Sequence, residues 1–316
     1  MRFENLTTLD QFREVERLEG EIWGPIDLVP VPIMAVSVRR GAVLVGAYDG
    51  PRLAGFVYSF PAIRGHEGHK GDTGVRRPEL QFGQVRGPEL QFGQVRRPEL
   101  QFGQPAHPPR ASHWSHMLAV HADYRGAGLG RALKLAQRER VLALGLDLIE
   151  WTYDPLQALN AHLNFVTLGT IVEDYEENVY GESTSPLHGG LPTDRFVCQW
   201  WIARPHVARR LNREPLTLVS HEVAFAPVVN DTSVVDGWLD CGDLHLGRSD
   251  RRVAVDIPLD YTQMLSEHPD RARRWRLQTR QLFTHYFARG YRVVDFGLHR
   301  AQARGRYLMT SIPPPE

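Results

Sequence analysis

A short glycine-rich stretch carries the clearest chemical signal in this 316-residue chain. Residues 125–130 read Arg-Gly-Ala-Gly-Leu-Gly, between an apolar run that ends at Val120 and an amphipathic pattern that begins at Leu129. A strand, a tight turn and a helix in this order direct several backbone N–H groups outward at the helix N-terminus, where the helix dipole is positive. Glycine lets the backbone approach a ligand closely. The stretch therefore predicts a binding site for a pyrophosphate.

The glycine spacing argues against two common nucleotide sites. Gly130 comes one residue early for the Gly-x-Gly-x-x-Gly fingerprint of dinucleotide binding. Glu150 lies at about the right distance downstream for a ribose-binding acid, but inside its predicted strand and not at the strand end. The stretch also lacks the Gly-Lys-Ser/Thr ending of a phosphate-binding loop.

The strand, turn and helix resemble the acyl-CoA-binding signature of the GNAT N-acyltransferases. The stretch from Asp154 to Gly169 is similar to the helix that flanks the pantetheine arm in that family. The stretch from Gly190 to Arg195 is typical of one subfamily, predicted acyltransferases with an added C-terminal unit. The resemblance covers about residues 1–60 and 112–205 and, more loosely, the rest.

The resemblance implies an α/β fold: a mixed sheet whose fourth and fifth strands splay apart, followed by a C-terminal α+β unit. Acyl-CoA would lie in the V-shaped gap between the splayed strands. The backbone of Leu118, Ala119 and Val120 would bond the pantetheine amides, and Asn160 would lie near the pantetheine or the thioester. The pyrophosphate would bind the N–H groups of Arg125, Gly126, Ala127, Gly128, Leu129 and Gly130.

The activity that the resemblance implies is acyl-CoA-dependent N-acyl transfer. An acetyl or succinyl-type group would pass from CoA to the amine of a small molecule, for which an amino acid is one option. Many relatives carry a Tyr as general acid where this chain has Phe165. Phenylalanine cannot donate a proton, so the acid is missing or comes from elsewhere. The alternative is a GNAT-like module that binds acyl-CoA without turnover.

His116 is the first choice for the base that deprotonates the amine. It occupies the position of a Glu in many relatives, and imidazole titrates near neutral pH. A core histidine is the competing interpretation. His113 and His121 are weaker candidates. Strict alternation along the strand puts these two on one face and His116 on the other, which argues against a shared metal site.

Asp154 is the second candidate base, at the mouth of the gap. An Asp-Pro pair before a helix is more often an N-terminal cap, so we favour the cap.

Two arginines on the predicted helix 270–289 form the candidate substrate site. Arg276 falls inside the apolar arc of the helix and Arg280 lies at its edge. A buried guanidinium needs an anionic partner. That partner is either a substrate carboxylate or a CoA phosphate, or it is an internal Asp or Glu.

The chain length predicts two domains, and the order of the predicted elements divides them into residues 1–205 and 206–316. Thr8 and Gln11 predict a capping box before the first helix, and Asp49-Gly50 predicts a hairpin turn. An insertion at about 65–111 contains three near-identical ten-residue repeats at 75–104. We expect the repeats to be functionally neutral, with a binding arm as the alternative.

Composition narrows the class of protein. The 37 basic and 37 acidic residues cancel, which argues against a general binder of nucleic acid or anionic membranes. Cys198 and Cys241 lie 43 residues apart without a Cys-x-x-Cys pair, which argues against a disulfide scaffold and a cysteine zinc site. With no apolar run long enough for a membrane span and no signal peptide, we expect a soluble, cytoplasmic protein. We expect acyl-CoA as co-substrate and no metal, and a homodimer is one option.

Overall fold

The computed structural model describes residues 1–25, 28–64, 110–181, 190–214, 223 and 225–312. The chain divides into two compact units, Met1–Ala62 with Ser112–Glu316, and Ile63–Ala111. The repeats at 75–104, and most of a strand that the sequence predicts at 216–226, lie outside the described residues.

The N-terminal elements follow the sequence prediction. They are β1 (Arg2–Asn5), α1 (Leu9–Trp23), α2 (Val31–Val38), β2 (Val43–Asp49) and β3 (Arg52–Arg64). The capping box is confirmed: the Thr8 hydroxyl accepts from the Gln11 N–H, and the Gln11 side chain accepts from the Thr8 N–H. The short strand β1 was not predicted; it pairs antiparallel with β2.

The middle of the chain holds the glycine-rich turn. The elements are β4 (Arg110–Val120), α3 (Leu129–Ala143), β5 (Leu148–Tyr153), α4 (Ala158–Ala161), a π-helix (His162–Leu168), β6 (Ile171–Glu176) and β7 (Arg195–Trp201). The prediction that Asp154-Pro155 caps a helix is wrong. The Asp154 carboxylate instead accepts from the Leu156 N–H in a tight turn, and α4 begins only at Ala158.

The C-terminal part adds α5 (Pro205–Leu211), β8 (Asn230–Val235), β9 (Trp238–Leu244), β10 (Arg252–Pro258), α6 (Tyr261–Glu267), α7 (Pro269–Ala288), β11 (Arg292–His299) and β12 (Arg304–Thr310). The sequence predicts a single strand at about 234–246, and this prediction is wrong. Asp236 and Gly237 both adopt positive φ, 53° and 81°, and turn this segment into the hairpin β8–β9.

One ten-stranded mixed sheet organises the described chain, in the order β1-β2-β3-β4-β5-β7-β6-β11-β12-β10. Helices pack on both of its faces, and apolar side chains fill the two resulting cores. Strands β4 and β5 are parallel, whereas β5–β7, β7–β6 and β6–β11 are antiparallel. The predicted fold class, a mixed α/β sheet with splayed central strands, is confirmed.

The sheet runs without interruption past the predicted domain boundary at 205/206. β6 and β11 are joined through one register pair, Val172 with Val293, and a register shift follows in each strand. A division into 1–205 and 206–316 stays a prediction.

Candidate active site between the splayed strands

The gap lies between β4 and β5. The two strands pair only at His113 with Ile149 and at Trp114 with Glu150. Beyond Trp114, the described part of β4 from Ser115 to Val120 has no register partner on β5. The β5-facing backbone groups of that segment can therefore bond a ligand that enters between the strands.

The glycine-rich turn follows β4 at the open end of this gap. Gly126 and Gly128 have φ of 78° and 80°, and a Cβ at either position would meet no atom within 4 Å. Gly128 is the N-cap of α3 and supplies no side-chain cap to the first N–H groups of the helix. The turn thus presents N–H donors and open space to an anion. The Arg125 N–H is already used, since it donates to the Ala122 carbonyl.

A polar network holds the turn against the β2–β3 hairpin. The Arg52 guanidinium lies 2.9 Å from the Asp123 carboxylate and over the Tyr124 ring. The Tyr124 hydroxyl donates to Asp49, and His121 accepts from the Asp123 N–H. His121 therefore helps to position the turn.

His116 lies on the face of β4 opposite α3. Its ring contacts Tyr58 and Phe60, with centroids 6.1 Å and 5.8 Å away, while the residue as a whole is exposed. Desolvation lowers the pKa of His116 from its ordinary value of 6.5, so the imidazole is neutral at pH 7 and able to accept a proton. Met117 packs on the same side as His116, so strict alternation fails here.

His113 is a core histidine. It is fully buried, its Nδ1 lies 2.8 Å from the Ser59 hydroxyl and its Nε2 lies 3.1 Å from the Gly41 carbonyl oxygen. Burial lowers its pKa as well, but both ring nitrogens already have partners. These contacts give His113 a structural role.

Asp154 follows β5 directly and faces α7. One carboxylate oxygen accepts from the Leu156 N–H, and the other lies 2.5 Å from Nη2 of Arg276. The Arg276 side chain is 4% exposed and also lies over the Tyr261 ring. Burial alone would lower the pKa of Arg276, but Asp154 and Tyr261 raise it well above its ordinary value. Arg276 is permanently charged, and Asp154 is its counterion.

Arg280 also has internal partners. Its Nε and Nη2 donate to both oxygens of Asp194, at 2.9 Å and 2.6 Å, and its Nη1 lies 3.1 Å from Glu177. Asp194 is fully buried and also accepts from the Tyr175 hydroxyl. The stretch Gly190–Arg195, which the sequence singled out, thus includes the anchor between the β6–β7 connection and α7.

Two further predicted positions differ in exposure. Asn160 is exposed on α4, where it is open to a ligand. Phe165 is fully buried in the π-helix, edge-on to the Tyr307 ring at 5.8 Å. The hydroxyls of Tyr307 on β12 and Tyr153 on β5 lie 3.1 Å apart, so two phenol groups from strands lie near Phe165.

The sequence reasoning missed a buried polar cluster at the closed end of the gap. It consists of Ser115 on β4 and Lys134 and Gln137 on α3. Lys134 is one of two lysines in the chain and occupies the apolar side of its helix, between Leu133 and Ala136. A lysine at such a position is a signal that the sequence could have supplied.

The solved structures similar to this chain include GNAT acetyltransferases. A GNAT-family protein of Desulfovibrio desulfuricans is 14% identical, with 64% of this chain and 99% of that chain covered and a TM-score of 0.39. The ribosomal-protein-S18-alanine N-acetyltransferase of Escherichia coli gives 15% identity, coverage of 64% and 94%, and a TM-score of 0.41. NAA60 of Arabidopsis thaliana in complex with acetyl-CoA is 12% identical, with 63% of this chain and 98% of that chain covered and a TM-score of 0.39.

Likeness at this level says nothing about which substrate this chain uses. No protein-family model and no curated protein matches the chain. Among the described residues, no group of three or more His, Cys, Asp or Glu side chains could hold a metal ion. No helix in the described part of the chain has the length and apolarity to cross a membrane.

Proposed function

We propose that the protein is an acyl-CoA-dependent N-acyltransferase. The observation that carries the proposal is the separation of β4 from β5 after two register pairs, at a strand that leads into the uncapped N-terminus of α3. A pantetheine arm is long, thin and rich in amides, so it suits unpaired strand backbone. The pyrophosphate suits the exposed turn Arg125–Gly130 and the positive end of α3.

The chemistry is direct attack of a neutral amine on the thioester, with His116 as base. Amines of pKa near 10 are mostly protonated at pH 7, so attack requires a proton acceptor. His116 is neutral at that pH and exposed to an incoming substrate. We propose an acetyl or succinyl-type acyl group and a small-molecule amine, an amino acid being one option.

Gly128→Glu tests the donor site. The side chain would place bulk and negative charge where the pyrophosphate binds, and calorimetry should show at least a hundredfold loss of affinity for acetyl-CoA, about 2.7 kcal/mol. Gly145→Glu is the matched control, because Gly145 follows the other end of α3 with a similar φ, 78° against 80° for Gly128, and has the same open space. Equal affinity in both variants would contradict the proposal.

His116→Ala tests the base. Turnover should fall about a hundredfold, at the low end for loss of a general base, while acetyl-CoA affinity stays unchanged. The loss should shrink at high pH, where more of the amine is already neutral. The same loss at every pH would assign His116 a structural role instead.

The two α7 arginines differ in whether they leave hydrogen-bond donors free for a substrate. All three Arg280 nitrogens contact Asp194 or Glu177. Arg276 retains two buried nitrogens, Nε and Nη1, that have no partner among the described residues. Asp154 already balances its charge, so these donors suit an uncharged substrate oxygen better than a carboxylate.

The second candidate function is an acyl-CoA-binding module without turnover, which Phe165 in place of a tyrosine favours. Release of CoA thiol over a panel of amines separates the two. Tight acetyl-CoA binding with no thiol release from any amine would support the module.

A further inference from the structure

The segment that includes β7 and α5 is strongly basic. Residues 196–213 contain four arginines and no Asp or Glu, in a chain whose basic and acidic residues are equal in number. Arg210 is paired with Asp295 at 2.8 Å. The next acidic residue along the chain is Glu214, whose carboxylate accepts from Nδ2 of Asn212 at 3.5 Å. The other three arginines are exposed and have no carboxylate partner among the described ion pairs; they are Arg204, Arg209 and Arg213.

Two hydrogen bonds from α3 place this basic segment beside the glycine-rich turn. Nε of Arg138 donates to the Ile202 carbonyl at 2.8 Å, and Nη2 of Arg131 donates to the Leu211 carbonyl at 2.7 Å. α5 therefore lies along α3, and the C-terminal end of α5 lies at the first turn of α3. Because Arg131 directly follows Gly130, the last residue of the glycine-rich turn, the end of α5 is close to the proposed pyrophosphate site.

The C-terminal end of α5 holds two of the exposed arginines in a defined position. The Arg213 N–H donates to the Arg210 carbonyl and the Glu214 N–H donates to the Arg209 carbonyl, which is a Schellman motif with Arg213 at a φ of 57°. The last four carbonyl groups of α5 all accept a hydrogen bond, three from backbone N–H groups and one from Arg131. This end of the helix therefore repels an anion less than free carbonyl groups would.

We infer that Arg209 and Arg213 bind the 3′-phosphate on the ribose of the acyl-CoA donor. The inference rests on the proposed function, in which the pyrophosphate of the donor binds the glycine-rich turn. CoA carries a phosphate monoester one sugar away from that pyrophosphate. A monoester has a charge of about −1.5 to −2 at pH 7, so it requires cations in addition to the neutral N–H donors of the turn.

Arginine suits this role because its planar guanidinium group bonds two phosphate oxygens at once. The two side chains are exposed, so a donor reaches them without any rearrangement of the protein. The site therefore selects acyl-CoA over the same donor without its 3′-phosphate.

Calorimetry with two donors tests the inference. The wild-type protein should bind acetyl-CoA about tenfold more tightly than acetyl-3′-dephospho-CoA, a difference of about 1.4 kcal/mol. The preference should weaken at high salt, because salt screens exposed charges. Arg209→Gln combined with Arg213→Gly should remove the preference and leave the affinity for the dephospho donor unchanged. Glycine is the usual residue at a positive φ after a helix, so Arg213→Gly should not destabilise the fold.

Arg204→Gln is the matched control. Arg204 is an exposed arginine of the same basic segment, but it precedes α5 and lies at the opposite end of that helix, over the Trp201 ring. This variant should keep the full preference for acetyl-CoA. Urea denaturation of both variants checks that the fold is intact.

The possible results separate the inference from the proposed function. Equal affinity of the wild-type protein for the two donors would show that the inference is wrong, while the proposed function stands. An equal loss of affinity for both donors in the double variant would assign the arginines to the pyrophosphate instead. Binding of inorganic phosphate alone as tightly as acetyl-CoA would make the arginines a site for free phosphate. If neither donor binds, the proposed function itself is wrong.

Discussion

Two nearly buried cations lie near β5, one against Trp151 and the other against Asp154, and they differ in how their charge is balanced. Arg276 on α7 has the Asp154 carboxylate 2.5 Å away. Lys134 on α3 has a serine hydroxyl and an indole ring as its closest partners. Burial disfavours the charged form of both, yet the pKa of Arg276 rises while that of Lys134 falls to about 7.

The difference teaches that burial by itself does not decide the role of a charged residue. A cation with a matched anion is fixed in one protonation state and contributes to the architecture. A cation without one becomes a neutral group that can exchange protons near pH 7. The Arg276–Asp154 pair therefore has a fixed charge and ties α7 to the end of β5, whereas the protonation of Lys134 changes near pH 7.

Arg276→Met should have the largest effect on stability. The change leaves the Asp154 carboxylate without its counterion, and the free energy of unfolding should fall by about 3–5 kcal/mol. Urea denaturation measures the loss. Arg13→Met is the control, because Arg13 forms an exposed pair with Asp10 and should have no measurable effect. A fully stable Arg276→Met protein with a raised KM for one substrate would instead assign Arg276 to substrate binding.

Lys134→Met should raise the stability of the protein at low pH, whereas Arg276→Met lowers it. Lys134 has a folded pKa of about 7 and an ordinary value of 10.5. Below pH 7 both states are protonated and the folded state bears the full cost of the buried charge, so the variant should be more stable by about 1–4 kcal/mol at pH 6. Between pH 7 and 10.5 the unfolded state binds more protons, so wild-type stability rises with pH and the advantage shrinks. An advantage independent of pH would show that Lys134 does not titrate in this range.

The smallest expected effect is the coupling energy between Arg276 and Asp154, which a double-mutant cycle measures. Adding Asp154→Asn to Arg276→Met removes the uncompensated carboxylate while keeping an oxygen for the Leu156 N–H. The two changes should therefore couple by about 0.5–3 kcal/mol, with the double variant more stable than additivity predicts. Strict additivity in urea denaturation would show that the two side chains act independently.

The sequence predicted most of the fold because local signals agree with tertiary structure there. Three features are each determined by a few residues close together in the sequence: the Thr8–Gln11 capping box, the Asp49-Gly50 turn and the strand–glycine–helix unit. The hairpin β8–β9 was missed although Asp236-Gly237 is the same kind of signal, since its apolar flanks resemble one long strand.

The site was less predictable because its contacts join distant parts of the chain. Asp154 and Arg276 are 122 residues apart, and Ser115 and Lys134 are 19 residues apart on different elements. A helical wheel could place Arg276 on the apolar side of its helix, but nothing in the sequence names its partner. The roles of His116, Asp154, Asn160 and the two arginines stay predictions.

The joint between β6 and β11 has a consequence for how the sheet responds to thermal motion. One register pair, Val172 with Val293, connects the seven strands on one side to the three on the other, and the register shifts directly after it in both strands. With a single register pair, few hydrogen bonds hold β6 to β11, so the sheet can bend more easily between these two strands than elsewhere. Amide hydrogens on either side of Val172 should therefore exchange with solvent sooner than those in the centre of β10 and β12. These two strands are joined by seven consecutive register pairs.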